Sequence, residues 1–333
     1  MNSKLGLAML SLSLEPIDDA IKTAREAEEL GYSCLWVPEV AGPEALVTLG
    51  ALAPQTKTVE LATGVVPIQL RAPGLLAMAF LTLNEISGGR AIAGLGVSSP
   101  VIVERWHGVP YRKPLTTMRE TVEVMRQLFR DGRASFQGKV CKVDLRLRMP
   151  ITQQRRPRIY LAALNPPMLR LAGEIADGVL FNYSPPEAMA ELIGEVRRGA
   201  EAAGRDPNEL DYAVFVRMCV TDDPDSARAA FKRELATYAF VEAYQKMFAR
   251  YGLEQEMAEV RRLWQAGKRE EAPQAISDAS ADRIGCFGSA QSARDFIARF
   301  RAAGVTHPVV FPVGAARTNR RDFLTTMRGL AGA

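Results

Sequence analysis

Eight times along this chain a short apolar run is followed by a stretch whose apolar residues recur at helical spacing. Short apolar runs bounded by turn residues read as buried strands, and a 3.6-residue period reads as an amphipathic helix. The strand-like runs are Leu5–Leu10, Ser33–Val37, Val59–Val66, Arg90–Leu95, Arg158–Ala162, Gly178–Asn182, Tyr212–Val220 and Val309–Pro312. After the first, Ile17, Ala20, Ile21, Ala24, Ala27 and Leu30 share one helical face, with Pro16 ahead of the first turn and Gly31 behind the last. Helices are expected from Pro43 to Ala53, Pro73 to Gly88, Pro114 to Gly132, Glu187 to Ala203, Ala290 to Ala303 and Asp322 to Leu330, and up to Ala176 after the fifth strand. Thr117 and Glu120 carry the spacing of a capping box. Two stretches break the rhythm. Alternating Val140, Val143, Leu145 and Leu147 within Ala134–Arg148 predict an inserted hairpin, and Asp225–Asp282 reads as wholly helical. Eight strand–helix units in order predict an α/β fold, a (β/α)8 TIM barrel, with a doubly wound sheet as the alternative. No linker or repeat divides the chain, so residues 1–333 read as one domain with a hairpin insertion and a late helical insertion.

Composition removes several classes of function. With 47% hydrophobic residues over 333, the chain can bury a large core without disulfide or metal staples. The net charge is +4, and its Lys and Arg are scattered among acids. The densest basic stretch, Arg146 to Arg158, lacks any nucleic-acid motif, so no nucleic-acid partner is expected. A mild positive field still favours a small polyanionic ligand. Cys34, Cys141, Cys219 and Cys286 form no CxxC pair, and His107 and His307 stand alone, so zinc spacing is absent and no metal is expected. Four reduced thiols and no long apolar stretch lead to the expectation of a cytoplasmic protein without a membrane partner.

In a β/α barrel the chemistry sits where the strands end. Those ends read Met9-Leu10-Ser11, Trp36-Val37-Pro38-Glu39, Thr63-Gly64-Val65-Val66-Pro67, Gly94-Leu95-Gly96-Val97-Ser98-Ser99, Ala162-Ala163-Leu164-Asn165, Asn182-Tyr183 and Pro312-Val313-Gly314. They are small and apolar, with Glu39 the one carboxylate at a strand end. No carboxylate pair or nucleophile with a His partner is present, which argues against a hydrolase. Such a site fits a flat cofactor that carries the hard chemistry, with small residues letting backbone N–H groups approach a phosphate. Gly94-x-Gly96-x-x-Ser99 also invites a dinucleotide reading, but it lacks the third glycine and follows the fourth strand.

Several segments resemble luciferase-like monooxygenases: Glu29-Leu-Gly-Tyr-Ser-Cys-Leu-Trp-Val-Pro-Glu39, Leu61-Ala-Thr-Gly-Val-Val-Pro-Ile68, Arg71-Ala-Pro73 and Leu83-Asn-Glu-Ile-Ser-Gly-Gly-Arg90. So do Ala93-Gly-Leu-Gly96, Gly108-Val-Pro-Tyr-Arg-Lys-Pro114 and Arg158-Ile-Tyr-Leu-Ala-Ala-Leu-Asn-Pro-Pro-Met168. Ala172–Gly178 and Gly199–Gly204 bring the chain close to the coenzyme F420-dependent branch, and there to methylenetetrahydromethanopterin reductase. The resemblance implies a TIM barrel, a homodimer and a deazaflavin cofactor held at the strand ends. It implies a non-prolyl cis peptide at Gly64–Val65, and cofactor contacts from Gly64, Val65, Gly96, Val97, Ser98, Ala162, Ala163, Leu164 and Asn165; Thr63 beside the bulge and Glu39 at its strand end complete the cofactor-binding candidates.

The departures from that pattern bear on the substrate. The family's strand-two Asp-His pair is Glu39-Val40 here, and carboxylates of relatives are replaced by Ala8, Val97 and Ser99. Glu39 and His107 remain as catalytic candidates, Glu39 as a proton donor or a hydrogen-bond partner of the ring. The reading is an F420-dependent oxidoreductase that moves hydride between deazaflavin C5 and a small-molecule substrate. The alternatives are an FMN-dependent monooxygenase using reduced flavin and oxygen, and a flavin- or deazaflavin-binding protein without catalysis. Residues 238–264 are a candidate lid, while Tyr244, Met247, Phe248 and Tyr251 within it read as helix packing.

Overall fold

The first strand, β1 (Gly6–Ala8), leads through α1 (Ile17–Glu29) to β2 (Cys34–Val37), and α2 (Ala45–Leu52) leads to β3 (Glu60–Thr63) and β4 (Val66–Pro67). Then come α3 (Pro73–Ile86), β5 (Ala91–Gly96), α4 (Pro114–Asp131), the hairpin β6 (Arg133–Gln137) and β7 (Lys142–Arg146), and β8 (Arg158–Ala162). The chain continues through α5 (Pro166–Ile175), β9 (Gly178–Asn182), α6 (Met189–Ala202) and β10 (Asp211–Val220). Four helices follow: α7 (Pro224–Thr237), α8 (Glu242–Arg250), α9 (Glu254–Gln265) and α10 (Asp278–Ile284). It finishes with β11 (Gly285–Gly288), α11 (Ala290–Ala302), β12 (His307–Pro312) and α12 (Arg320–Gly329). This computed structural model describes residues 4–9, 16–149, 156–314 and 320–333. Leu10 and Ser11, and residues 150–155 of the basic stretch, lie outside the described residues.

Eight parallel strands close a ring in the order β1, β2, β3, β5, β8, β9, β10, β12 and back to β1. The barrel expected from the alternation is therefore the fold, and the doubly wound alternative falls. Burial divides in two. Leu7, Leu35, Leu61, Leu161, Val179, Val214 and Val310 face outward into one large cluster under the helices. Ala8, Trp36, Ala62, Ile92, Tyr160, Leu180, Phe215, Val309 and Phe311 form a second cluster. Strand alternation puts that second set inside the barrel. At the N-terminal ends of the strands a polar network closes the floor. Asp211 takes the Lys4 ammonium at 3.0 Å, Arg158 Nη1 at 2.6 Å and the Tyr160 hydroxyl, while Arg158 also pairs with Glu60.

Three expectations need correction. Asp225–Asp282 is not one helical run: turns after α7, α8 and α9 break it into separate helices. It ends beside β11, which pairs with the C-terminal half of β10 (Met218 with Cys286) and had no counterpart in the sequence reading. Thr117 and Glu120 do not form a capping box. The residue ahead of α4 is Lys113, in the left-handed region at φ 44°. Thr117 donates back to the Arg112 carbonyl at 3.0 Å. Glu120 instead accepts the backbone N–H groups of Lys139, Val140 and Cys141 at 2.7, 2.8 and 2.7 Å, which fastens the hairpin turn to α4.

Candidate active site

The third strand does not run unbroken through Val59–Val66 as its apolar pattern predicts. From Ala62 to Val66 it advances four residues, while the paired β5 advances three from Ile92 to Leu95. The extra residue makes a bulge, and such bulges re-aim side chains next to active sites. The Gly64–Val65 peptide within it is cis, as the resemblance implied. Val65 packs against the interior cluster, and a Cβ on Gly64 would stand 2.7 Å from the Phe215 ring and 3.2 Å from Trp36. Thr63 bridges to the neighbouring strand, donating to the Gly94 carbonyl at 2.7 Å and accepting the Gly94 N–H at 3.0 Å. The bulge fits because β5 carries glycines beside it. A Cβ on Gly94 would lie 1.8 Å from the Thr63 carbonyl oxygen, and one on Gly96 would lie 2.4 Å from Val65 Cγ2.

Two loops at the same end offer unused backbone donors. Among the described residues the N–H groups of Val97 and Ser98, and those of Leu164 and Asn165, engage no acceptor. Ser98 has φ 57°, a left-handed conformation uncommon for a residue with a side chain and enriched at ligand-binding sites. Beyond it Val101–Trp106 forms a single π-helical turn, a feature frequent at functional sites. In the β8–α5 loop the Ala163 N–H is taken by Leu180, and Pro166 and Pro167 begin α5 with no N–H to give. Leu164 and Asn165 are therefore the donors left to an anion. Arg250 of α8 donates to the Leu164 carbonyl, so a cation stands beside this loop.

Glu39 lies at the end of β2, in a tight ion pair. Arg71 donates to both its oxygens at 2.7 and 2.8 Å, and the Ala45 N–H at the start of α2 donates at 3.1 Å. Arg71 also pairs with Glu44, which caps α2 through the Val47 N–H. Burial works against the Arg71 charge, but Glu39 and Glu44 outweigh it and hold the guanidinium's pKa above its usual value. His107 follows the π-helical turn and is exposed, as is Trp106 beside it. The site residues named from sequence thus stand at the C-terminal ends of β2, β3, β5 and β8, except His107, which follows the π-helical turn beyond β5. All four thiols are unpaired. Burial pushes the Cys34 thiol well above its ordinary value, Cys219 up to about 12 and Cys286 up to about 11, so none supplies a thiolate. Among the described residues no helix is long and apolar enough to cross a membrane, and no three His, Cys, Asp or Glu side chains gather as a metal site.

Arg217 and Glu234 belong to no motif in the sequence and meet only in the fold. Arg217 is 3% exposed and lies on the same face of β10 as Phe215, paired in register with Phe311 of β12. Its guanidinium stacks between the Tyr183 ring at 4.0 Å and the Phe311 ring at 3.9 Å. It donates to Asn182 Oδ1, and Nε stands 3.4 Å from Glu234. Tyr183, left-handed at φ 51°, donates its hydroxyl to the same Glu234, and Asn182 donates to Tyr244 at 2.8 Å. A signal was available, since Phe215-Val-Arg217-Met-Cys219 puts a charge on the inward face of an apolar strand. Met247 and Phe248 are fully buried helix packing, whereas Tyr244 reaches the end of β9.

The sequence pattern of the family described as luciferase-like monooxygenase matches residues 4–307. A Mycobacterium tuberculosis protein named as a coenzyme F420-dependent oxidoreductase is 32% identical over 332 residues, covering 92% of this chain and 94% of the relative. The 5,10-methylenetetrahydromethanopterin reductase of Archaeoglobus fulgidus is 30% identical over 295 residues, covering 86% of this chain and 88% of that enzyme. Among solved structures, the coenzyme F420-dependent tetrahydromethanopterin reductase of Methanopyrus kandleri superposes with a TM-score of 0.82 at 23% identity, over 99% of this chain and 98% of that one. The chain therefore belongs to the luciferase-like monooxygenase family, among its coenzyme F420-dependent oxidoreductases.

Proposed function

We propose that the protein binds coenzyme F420 and catalyses hydride transfer to or from a small organic substrate at a C=N, C=C or carbonyl group. The observation that carries this reading is the glycine-lined bulge at Gly64–Val65, set between two loops with free N–H donors. A flat ring needs a wall without projecting side chains, and an anionic tail needs backbone donors. The residues present therefore fit the group. When bound, the deazaflavin supplies hydride chemistry at its C5.

The chain's own contribution is placement and exclusion of water. Gly64 and Val65 form the wall behind the ring, next to Thr63. Val97 and Ser98 turn backbone donors toward it, beside Gly96 at the end of β5. Ala162, Ala163, Leu164 and Asn165 line the tail, with Arg250 adding positive charge. Phe215, Phe311 and Tyr183 keep the mouth apolar. Glu39 has both carboxylate oxygens committed to donors, which suits a group that positions Arg71 and α2 better than one that gives up a proton. His107, exposed, is assigned no step. A homodimer in the cytoplasm completes the reading. An exposed apolar face on α2 and α3 supports the dimer, and four unpaired thiols suit a reducing compartment.

The test is a fluorescence titration of purified protein with F420 and, separately, with FMN. Preferential F420 binding is the expected result. Preferential FMN binding, with oxygen-dependent turnover of an aldehyde, would overturn it in favour of a monooxygenase.

A further inference from the structure

Among the described residues two arginines are buried, and they contrast sharply. Arg90, at 9% exposure, places all five of its N–H donors. Nε donates to the Ser87 carbonyl at 2.6 Å, Nη1 to Val59 and Thr56, and Nη2 to Ala53 and Thr56. Arg217 is more deeply enclosed and places far fewer. Nη1 donates to Asn182, Nε reaches Glu234 only at 3.4 Å, and Nη2 has no partner among the described residues. Glu234 is also shared with the Tyr183 hydroxyl.

A buried charge is expensive unless it is paired and hydrogen-bonded. Both flat faces of this guanidinium are covered, by Tyr183 and Phe311, so only its edge can accept anything more. The sealed, unpartnered polar atoms of the described residues belong to Trp36, Gln69, Thr121, Glu256 and His307. Nη2 of Arg217 is not among them, so it keeps contact with the space above. Position decides where that space is. Arg217 sits one inward step beyond Phe215, whose ring meets Gly64, and its partner Asn182 is the last residue of β9. The free edge therefore opens at the C-terminal mouth, beside the bulge.

We propose that Arg217 is an anion-binding residue of the active site, its free Nη edge receiving a carboxylate or a comparably charged oxygen pair. A planar guanidinium held rigid between two rings matches a carboxylate's paired oxygens, and an apolar surrounding strengthens the contact. Acidic compounds are then the preferred substrate class, in a pocket whose other walls are aromatic. This rests on the proposed F420 site, whose own anionic groups are the other source of the same chemistry.

The experiment compares wild type with Arg217→Met and Arg217→Lys, each checked by circular dichroism. Calorimetry measures binding of acetate, butyrate and benzoate against the corresponding neutral amides, with and without F420, and binding of F420 itself. Wild type is expected to prefer the carboxylates at least tenfold, Arg217→Lys to keep part of that preference and Arg217→Met to lose it, with F420 affinity changed less than threefold. If instead no carboxylate preference is seen and Arg217→Met weakens F420 at least tenfold, the anion is the cofactor's and the assignment of Arg217 stands. No preference in wild type together with unchanged F420 affinity in the variants overturns it. If Arg217→Met fails to fold, the wild-type preference and Arg217→Lys decide. Failure of wild type to bind F420 counts against the proposed function alone, because the carboxylate arm is also read without cofactor.

Discussion

At the scale of single residues, the interior is organised by what each position refuses. Gly94 and Gly96 have no room for a Cβ because the bulged strand occupies it, and both glycines were already prominent in the sequence. Glu39 was equally visible, but its role was not, because its partner Arg71 lies 32 residues away. His307 was read as isolated, and it is fully buried at the start of β12, against Trp36 and Gly6. Burial lowers its pKa to about 3, with Asp211 opposing that shift and Lys4 and Arg158 reinforcing it. An unfolded histidine titrates near 6.5, so between about pH 6.5 and 3 the unfolded chain binds one more proton than the folded one. Stability therefore falls as pH drops through that window, by about 1.4 kcal/mol per pH unit for this group. Urea unfolding of wild type should lose about 2 kcal/mol from this residue between pH 7 and pH 5. A His307→Gln variant should lack that loss, and a variant with an equally steep fall would remove His307 as its source. The carboxylates act lower, since Glu28, with a pKa of about 2 set by backbone donors that outweigh its burial, loses its contribution only in stronger acid.

At the scale of elements, periodicity located strands and helices well and misread what joins them. Thr117 and Glu120 have the spacing of a cap, yet Glu120 faces a hairpin turn nineteen to twenty-one residues further on. Local spacing cannot separate the two uses, because a carboxylate on the first turns of a helix serves either. Burial disfavours the Glu120 charge, but N–H groups from Cys141, Val140 and Lys139 outweigh it and hold the carboxyl below its ordinary value. Glu120→Ala should cost about 1.5–3 kcal/mol, the usual range for hydrogen bonds to a charged group. Hydrogen exchange should rise at Lys139, Val140 and Cys141, and unchanged exchange there would show that the turn holds without it. The late helical insertion follows the same logic. Its apolar spacing announced helices, but only tertiary contact brings Tyr244 to Asn182, Ala243 to Asn165 and Glu234 to Tyr183. Of the segment read as a lid or as packing, Met247 and Phe248 are fully buried packing, and Tyr244 reaches the end of β9.

At the scale of the whole molecule, the closed barrel leaves an apolar stripe of helix exposed. Leu75, Met78 and Ile86 are 56%, 43% and 50% exposed and share one side of α3, with Val47 on α2 at 74%. Such a stripe on a folded surface marks an association site, and the proposed homodimer would cover it. Sedimentation should show wild type as a dimer and Met78→Glu as a folded monomer, while a monomeric wild type would refute the dimer. The barrel itself was readable from the chain alone, because eight strand–helix units specify their own order and the alternation of inward and outward residues is local. Gly64, Gly94 and Gly96 and the small-residue strand ends around them were readable too, because composition at a strand end is also local. What the tertiary structure alone decided is pairing: that Glu39 meets Arg71, that Glu120 holds a hairpin, and that Arg217 stands between two rings with one edge free. Composition and period state which groups exist and which way they face. Whether a buried charge is satisfied depends on partners brought from distant parts of the chain, and closure of the barrel is what brings them together.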